Sequence, residues 1–308
     1  MTSHTGNPTN AGYLYAGITI FIWTGFIIVS RLGGRGAFTP FDIVALRLGV
    51  AGVLMLPWLL LRGLPQVAPQ RIAALTATAG LAYPLLAYGG FYFAPASHGA
   101  VLMSGLLPFF TTFFAVYLLA ERPSRLRLAG LGLIAAGVAV MFGASLRGAV
   151  AGPHGPVWIG DLMLIASSAL WALFGVLIKR WKVRALDVAV TVAVTAMLVY
   201  LPVYFAVLPK NLAQVPLRAI LLQGFYQGVM VVCVAMITYA RAAELLGPAR
   251  LAVMLSSVPA MGALLAVPVL GEALGGASAA GVALVSLGAL TGALARGAAV
   301  ENPPNASG

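Results

Sequence analysis

The sequence predicts an all-α integral membrane protein with ten transmembrane helices in two inverted five-helix repeats. Three observations predict it. The 308-residue chain is 61% hydrophobic and only 8% charged, with a mean hydropathy of +0.99. An ordinary soluble domain is roughly 25% charged, so this chain lacks the polar residues to cover a water-facing surface. Its apolar residues gather into ten runs of the length needed to cross a bilayer, about 20 residues each. The last five runs also repeat features of the first five.

The runs lie near 13–30, 41–61, 71–93, 98–120 and 127–146, then near 157–178, 186–208, 218–240, 250–270 and 276–295. Charge, proline or glycine bounds each of them, and the third/fourth and ninth/tenth junctions are very short. No Lys or Arg precedes the first run and it is long for a signal-peptide core, so it reads as a retained helix. The net charge of +11 would point to nucleic acid in a soluble domain. Here the basic residues are sparse and lie between apolar runs, where they set topology. With the N-terminus in the cytoplasm, twelve Lys and Arg fall on inside segments, five fall outside, and only Arg47 lies within a span. That bias places both termini in the cytoplasm, anchored most strongly by the 179–184 cluster. The single cysteine, Cys233, excludes an internal disulfide and a cysteine metal cluster.

The repeat is carried by "SGLLPFFTTFFAVYLLAER" and "SSVPAMGALLAVPVLGEAL". A shift of 151 residues superimposes Pro108 on Pro259, Glu121 on Glu272, Gly130 on Gly281 and Gly137 on Gly288. A slightly smaller shift aligns "WTGFIIVSR" (23–31) with "WALFGVLIK" (171–179), tryptophan on tryptophan and base on base. The units run 13–146 and 157–295. Five helices per unit is an odd number, so the second unit enters the membrane from the opposite side. Inverted repeats of this kind are the architecture of secondary transporters, with the solute site near the midplane between the halves.

Ten helices in two halves, each ending in a Pro-x12-Glu helix and a glycine-rich helix, resemble the drug/metabolite transporter superfamily and, within it, the bacterial EamA-domain branch. "ASHGAVLMSGLLPFFTTFFAVYLLAERPS" is similar to that domain's most recognisable segment. "FDIVALRLGVAGVLMLP" is similar to its second helix with the customary arginine. The resemblance covers nearly the whole chain. It implies a metabolite carrier of the bacterial inner membrane that works by alternating access, commonly as an exporter, with the aromatic amino-acid exporter type as the nearest subgroup. His98 departs from the family, many of whose members carry a small hydroxyl or aliphatic residue there.

The residues are read for chemistry as follows. The seven acids, Asp42, Glu121, Asp161, Asp187, Glu244, Glu272 and Glu301, all fall at helix ends, in loops or in the tail. No mid-span carboxylate is therefore available as a proton relay, which leaves facilitated diffusion, or coupling through His98. His98 starts the fourth helix and serves either as a helix-end residue bonded to a carbonyl or as a group that handles solute or proton. Arg47 lies about 10 Å inside the second helix at 1.5 Å per residue. It either ties down a neighbouring helix end or meets a carboxylate at an outer gate. Trp23, Tyr83, Tyr88, His98, Ser104, Trp171, Gln223, Tyr226 and Gln227 are the cavity candidates. Gln223 and Gln227, four apart, share a helix face. Trp58, Trp158, Trp181 and Tyr200 are assigned to interfacial belts.

Pro108 and Pro259, read as interior prolines, are expected to kink their helices and act as hinges. Glu121 is expected to face the next helix N-terminus or pair with Arg122 or Arg125. Glu272, with no base nearby in sequence, is left with the tenth helix's N-terminus. Gly288–Gly292 forms a small-residue pair suited to close packing, read as intramolecular, with a monomer or weak homodimer expected. No cofactor, metal or nucleic acid is called for, and the partners are a small neutral or aromatic amino acid and the lipid bilayer. Two alternatives remain. A proton-coupled multidrug or cation exporter lacks the expected central carboxylate. An integral membrane lipid enzyme would concentrate His and acids at one face, whereas His4, His98 and His154 are scattered in sequence.

Overall fold

The computed structural model describes residues 8–63, 65–148, 152 and 154–301, with side chains from Thr9 to Ala295. His4, Arg296 and Glu301, and with them the placement of both chain ends, lie outside the described side chains. Ten helices among these residues are long and apolar enough to cross a membrane: α1 Thr9–Arg35, α2 Pro40–Arg62, α3 Pro69–Phe93, α4 Ala96–Leu119, α5 Arg125–Leu146, α6 Val157–Trp181, α7 Ala185–Val207, α8 Leu217–Leu246, α9 Pro248–Leu270 and α10 Gly276–Ala295. The clearest departures from the sequence expectation are α1, which spans 9–35 rather than 13–30, and α8, which runs six residues past 240. Arg241 and Glu244 pair at 2.9 Å there, one turn apart on the exposed end, which extends the helix beyond its apolar run.

Helix contacts follow the two halves. α1 packs on α8 and α9, and its counterpart α6 packs on α3 and α4. α2 packs on α7, and α5 on α10. Each contact therefore has its image under an exchange of halves, as an inverted repeat requires. The α5–α10 seam rests on glycine. A Cβ at Gly130 would lie 2.6 Å from the Gly288 carbonyl oxygen, and one at Gly137 would lie 2.9 Å from that of Gly281. Only residues without a side chain allow backbones this close. Gly130 also faces Gly292, so the Gly288–Gly292 pair is used within the chain.

Three helices widen in mid-course. Thr76–Ala82 in α3, Gly99–Gly105 in α4 and Gly224–Val234 in α8 form wide turns. There the N–H groups of Tyr83, Leu106 and Ala235 donate to carbonyls five residues back, at Thr78, Val101 and Met230. In α3 and α4 the widening ends just before Pro84 and Pro108, which relieves the clash a proline makes with the preceding turn. In α8, Gly228 lets the backbone approach α2, since a Cβ there would lie 2.6 Å from Val50.

Pro108 and Pro259 lie at mid-span, as expected, but each follows an interruption of its helix. α4 is interrupted at Leu106, and a new helical segment begins at Leu107 with Pro108 in its first turn. α9 is interrupted at Ser256 and Ser257 and resumes at Val258, with Pro259 in the same position. In a first turn the N–H is not needed for helix bonding, so proline is tolerated. Both residues start half-helices rather than kink continuous ones. Both half-helices end alike, at a left-handed residue, Ala120 (φ 54°) and Gly271 (φ 64°). The next N–H, of Glu121 or Glu272, then donates to a carbonyl six residues back, at Ala115 or Ala266.

Candidate functional site

A polar chain joins the two halves one to two turns in from the start of α2 and the end of α3. It begins at Arg47, two turns into α2, whose side chain is buried. Its guanidinium donates to the Tyr88 hydroxyl at 3.2 Å. Tyr88, on α3, donates to Gln227 Oε1 at 2.9 Å. Gln227, in the wide turn of α8, donates to Ser30 on α1 at 3.1 Å and lies 3.4 Å from Gln223 Oε1. Gln223 donates to the Val29 carbonyl at 2.7 Å. Arg47, Tyr88, Gln223 and Gln227 are all at least nine-tenths buried.

Aromatic rings wall this chain. The Arg47 guanidinium lies 5.9 Å from the Tyr83 ring centroid and 6.0 Å from that of Phe26. Tyr83 packs on Trp171 at 4.8 Å and Phe26 on Tyr88 at 6.1 Å. The two tryptophans aligned by the repeat thus occupy related places. Trp171 of α6 meets Tyr83 of α3, and Trp23 of α1 stacks on Tyr239 of α8 at 5.6 Å. Tyr226 bonds the Ile22 carbonyl at 3.2 Å, and Ser104 is half-buried in the wide turn of α4.

Arg47 has no carboxylate within ion-pair distance among the described residues, and its partners are not helix-end carbonyls. Of the two sequence readings, tying down a helix end is therefore corrected. What holds the cation is one tyrosine hydroxyl and two aromatic faces, each contributing roughly 0.5–2 kcal/mol. An ion without a counter-charge in a low-dielectric interior costs several kcal/mol, so an anion brought beside Arg47 would offset that cost. Two hydroxyls nearby in sequence, Thr24 beside Trp23 and Ser168 three residues before Trp171, are buried without a hydrogen-bond partner among the described residues. Sequence reading missed both, since a lone hydroxyl in an apolar run carries no signal. A separate cleft, lined by Trp58, Arg62, Arg184 and Asp187, opens between α2 and α7 about four turns along α2 from Arg47.

The acids are placed differently from expectation. Glu272 accepts from Arg31 Nε at 2.6 Å and from the Ala96 N–H at 2.7 Å, with Arg35 at 3.9 Å. Its partners are thus the end of α1 and the start of α4, not the α10 N-terminus. Glu121 pairs with Lys179 at the end of α6, not with Arg122 or Arg125. His98 Nδ1 meets Asp161 Oδ1 at 2.7 Å, joining α4 to α6 in place of the expected carbonyl. Asp42 serves the local fold. It closes a capping box with Thr39 and accepts from the Tyr204 hydroxyl at 2.6 Å, fastening α2 to α7. Tyr200 is buried at that same contact, bonded to the Phe41 carbonyl at 3.0 Å near the start of α2.

Two inverted halves, polar groups bonded across them and helices broken on both sides are features that membrane transporters share. The sequence pattern of the EamA-like transporter family matches residues 10–143 and again residues 158–291. The chain belongs to that family. A solved structure described only as the crystal structure of a protein is similar over 94% of this chain and 99% of its own, with a TM-score of 0.63 and 21% identity, a likeness of fold. A comparison with curated proteins finds no match.

Proposed function

We propose that this EamA-like transporter exports, or equilibrates, small amphipathic metabolites, with aromatic and other neutral amino acids as its substrates, by alternating access. The observation that carries this reading is Arg47, a buried cation with no carboxylate partner among the described residues and aromatic faces around it. An amino acid's carboxylate completes the ion pair, and its apolar side chain lies against Phe26, Tyr83 and Trp171. Tyr88, Gln223 and Gln227 supply hydrogen bonds to its polar atoms. An organic cation would be repelled at the same place, which counts against a multidrug exporter.

The moving units in this reading are 13–146 and 157–295, rocking about the Arg47 chain. The charge bias puts the ends carrying Arg31 and Glu272 outside and those carrying Lys179 and Glu121 in the cytoplasm of a bacterial inner-membrane protein. The outer pair is buried, with 4% and 11% side-chain exposure, whereas the inner pair is exposed at 67% and 36%. An outward-closed state accounts for that asymmetry. Counterflow of labelled phenylalanine into liposomes loaded with unlabelled phenylalanine tests the assignment. Accumulation supports it, and movement of some other metabolite with no amino acid moving overturns it.

A further inference from the structure

His98 and Asp161 form a pair that the Arg47 chain does not use. His98 lies in the first turn of α4 and Asp161 four residues into α6, so their 2.7 Å contact ties one half to the other at the Arg31 end. Both side chains are 0% exposed. His98 Nε2 and Asp161 Oδ2 have no hydrogen-bond partner among the described residues.

We propose that this pair is a proton-binding site, which takes one proton from the external water when the outer seam closes and returns it when the seam opens. The proposal rests on the alternating-access reading for the existence of two states, but not on the identity of the substrate. Without the proton, the pair is a neutral imidazole and a carboxylate, a net negative charge in a sealed interior, which is strongly disfavoured. With the proton the pair is neutral overall, as imidazolium–carboxylate or as imidazole–carboxylic acid, and the Nδ1–Oδ1 hydrogen bond persists in either form. Water entering an opened seam solvates the carboxylate, so the proton can leave. On uptake an O–H bond of a hydronium ion in the external water breaks as an N–H or O–H bond forms on the pair, and release runs the same exchange in reverse.

The charges on the packed elements do not replace that proton. From α1, Arg31 and Arg35 face Glu272, and Arg31 also donates to the Phe91 carbonyl at 2.8 Å. From the end of α9, Glu272 holds the Ala96 N–H, two residues before His98, and is balanced by those arginines. From α3, Tyr88 is bonded to Arg47 and Gln227, and Tyr92 stacks at 3.7 Å on His154, whose ring meets the Gly34 carbonyl. Arg147, at the end of α5, is exposed. The described part of α10 brings no charged side chain.

The test uses the full chain in liposomes without any substrate, in a Cys233→Ser background. Spin labels are placed at Ala37 and Gly275, exposed outer-loop positions, one in each half. The ratio of short to long distances should rise as pH falls from 8 to 5.5, by up to about tenfold per pH unit for one linked proton. His98→Gln and Asp161→Asn should each flatten that response, although Arg31, Glu272 and His154 remain. A pair that only staples the halves would alter stability without creating a pH slope. Wild-type populations that do not change with pH overturn the proposal on their own, even if a variant fails to fold. So does a slope that survives in both variants. Failure of phenylalanine counterflow would instead strike the substrate reading and leave this result standing.

Discussion

Arg31 and Glu272 lie 241 residues apart and meet at 2.6 Å, from opposite halves of the molecule. Their repeat counterparts, Lys179 and Glu121, also meet. The helix carrying the base is the first of its half, and the helix carrying the acid is the fourth of the other. The same interaction is thus written twice, once at each end of the bundle.

The two copies differ in energy because they differ in burial. Removing one member of a buried pair strands the other and costs about 3–5 kcal/mol, whereas an exposed pair contributes roughly 0–1 kcal/mol. Glu272→Gln should therefore melt several degrees below wild type in detergent, with Glu121→Gln close to wild type. Equal losses would show that the burial difference has no energetic consequence.

Ala120 holds a left-handed conformation that its repeat counterpart assigns to Gly271. An L-residue there costs about 1–2 kcal/mol, partly offset by the greater unfolded-state freedom of glycine. Ala120→Gly is expected to raise stability by up to about 1 kcal/mol, read as a small upward shift in melting temperature. A drop would mean that the Ala120 side chain has a packing role.

At the α5–α10 seam, a Cβ on Gly288 would meet the Gly130 carbonyl oxygen, while one on Gly132, on the same α5, would meet nothing within 4 Å. Overpacking against backbone costs about 1–3 kcal/mol. Gly288→Ala should thus lower the thermal midpoint, and Gly132→Ala should hold or raise it through helix propensity. Similar behaviour of the two would contradict the close approach.

Pro108 and Pro259 keep the half-helices of α4 and α9 separate from the segments before them. Alanine restores the N–H and lets each helix run through its break. Pro108→Ala and Pro259→Ala should fold and insert but exchange solute more slowly, because a continuous helix cannot let its outer half move alone. Counterflow at the wild-type rate in both variants would rule out that role.

Much of this was legible in the sequence, and what was not has physical reasons. The ten spans follow from apolar length, since lipid leaves the backbone no alternative to a helix. The alignment of Arg31 on Lys179 and of Glu121 on Glu272 was visible too, but nothing local says that base and acid pair across halves. Once one pair is known, the inverted symmetry dictates the other. Asp161 reads as a helix-end acid because its partner, His98, lies 63 residues away. The wide turns in α3, α4 and α8 left no trace in periodicity, because these helices are apolar on nearly all faces. Consequently Pro108 read as an interior proline, when a widened turn had already ended the helix in front of it. Arg47 was visible as the lone cation within a span, but its aromatic surroundings come from Phe26, Tyr83 and Tyr88 on two other helices.

The central claim is that Arg47 receives a carboxylate. Counterflow of phenylalanine against phenethylamine, which lacks only that group, tests it most directly. Phenylalanine should exchange and phenethylamine should not, and Arg47→Gln should reduce phenylalanine exchange by about tenfold or more, as loss of a charge-assisted contact requires. Equal movement of the two compounds, or wild-type exchange of phenylalanine by Arg47→Gln, would contradict the account.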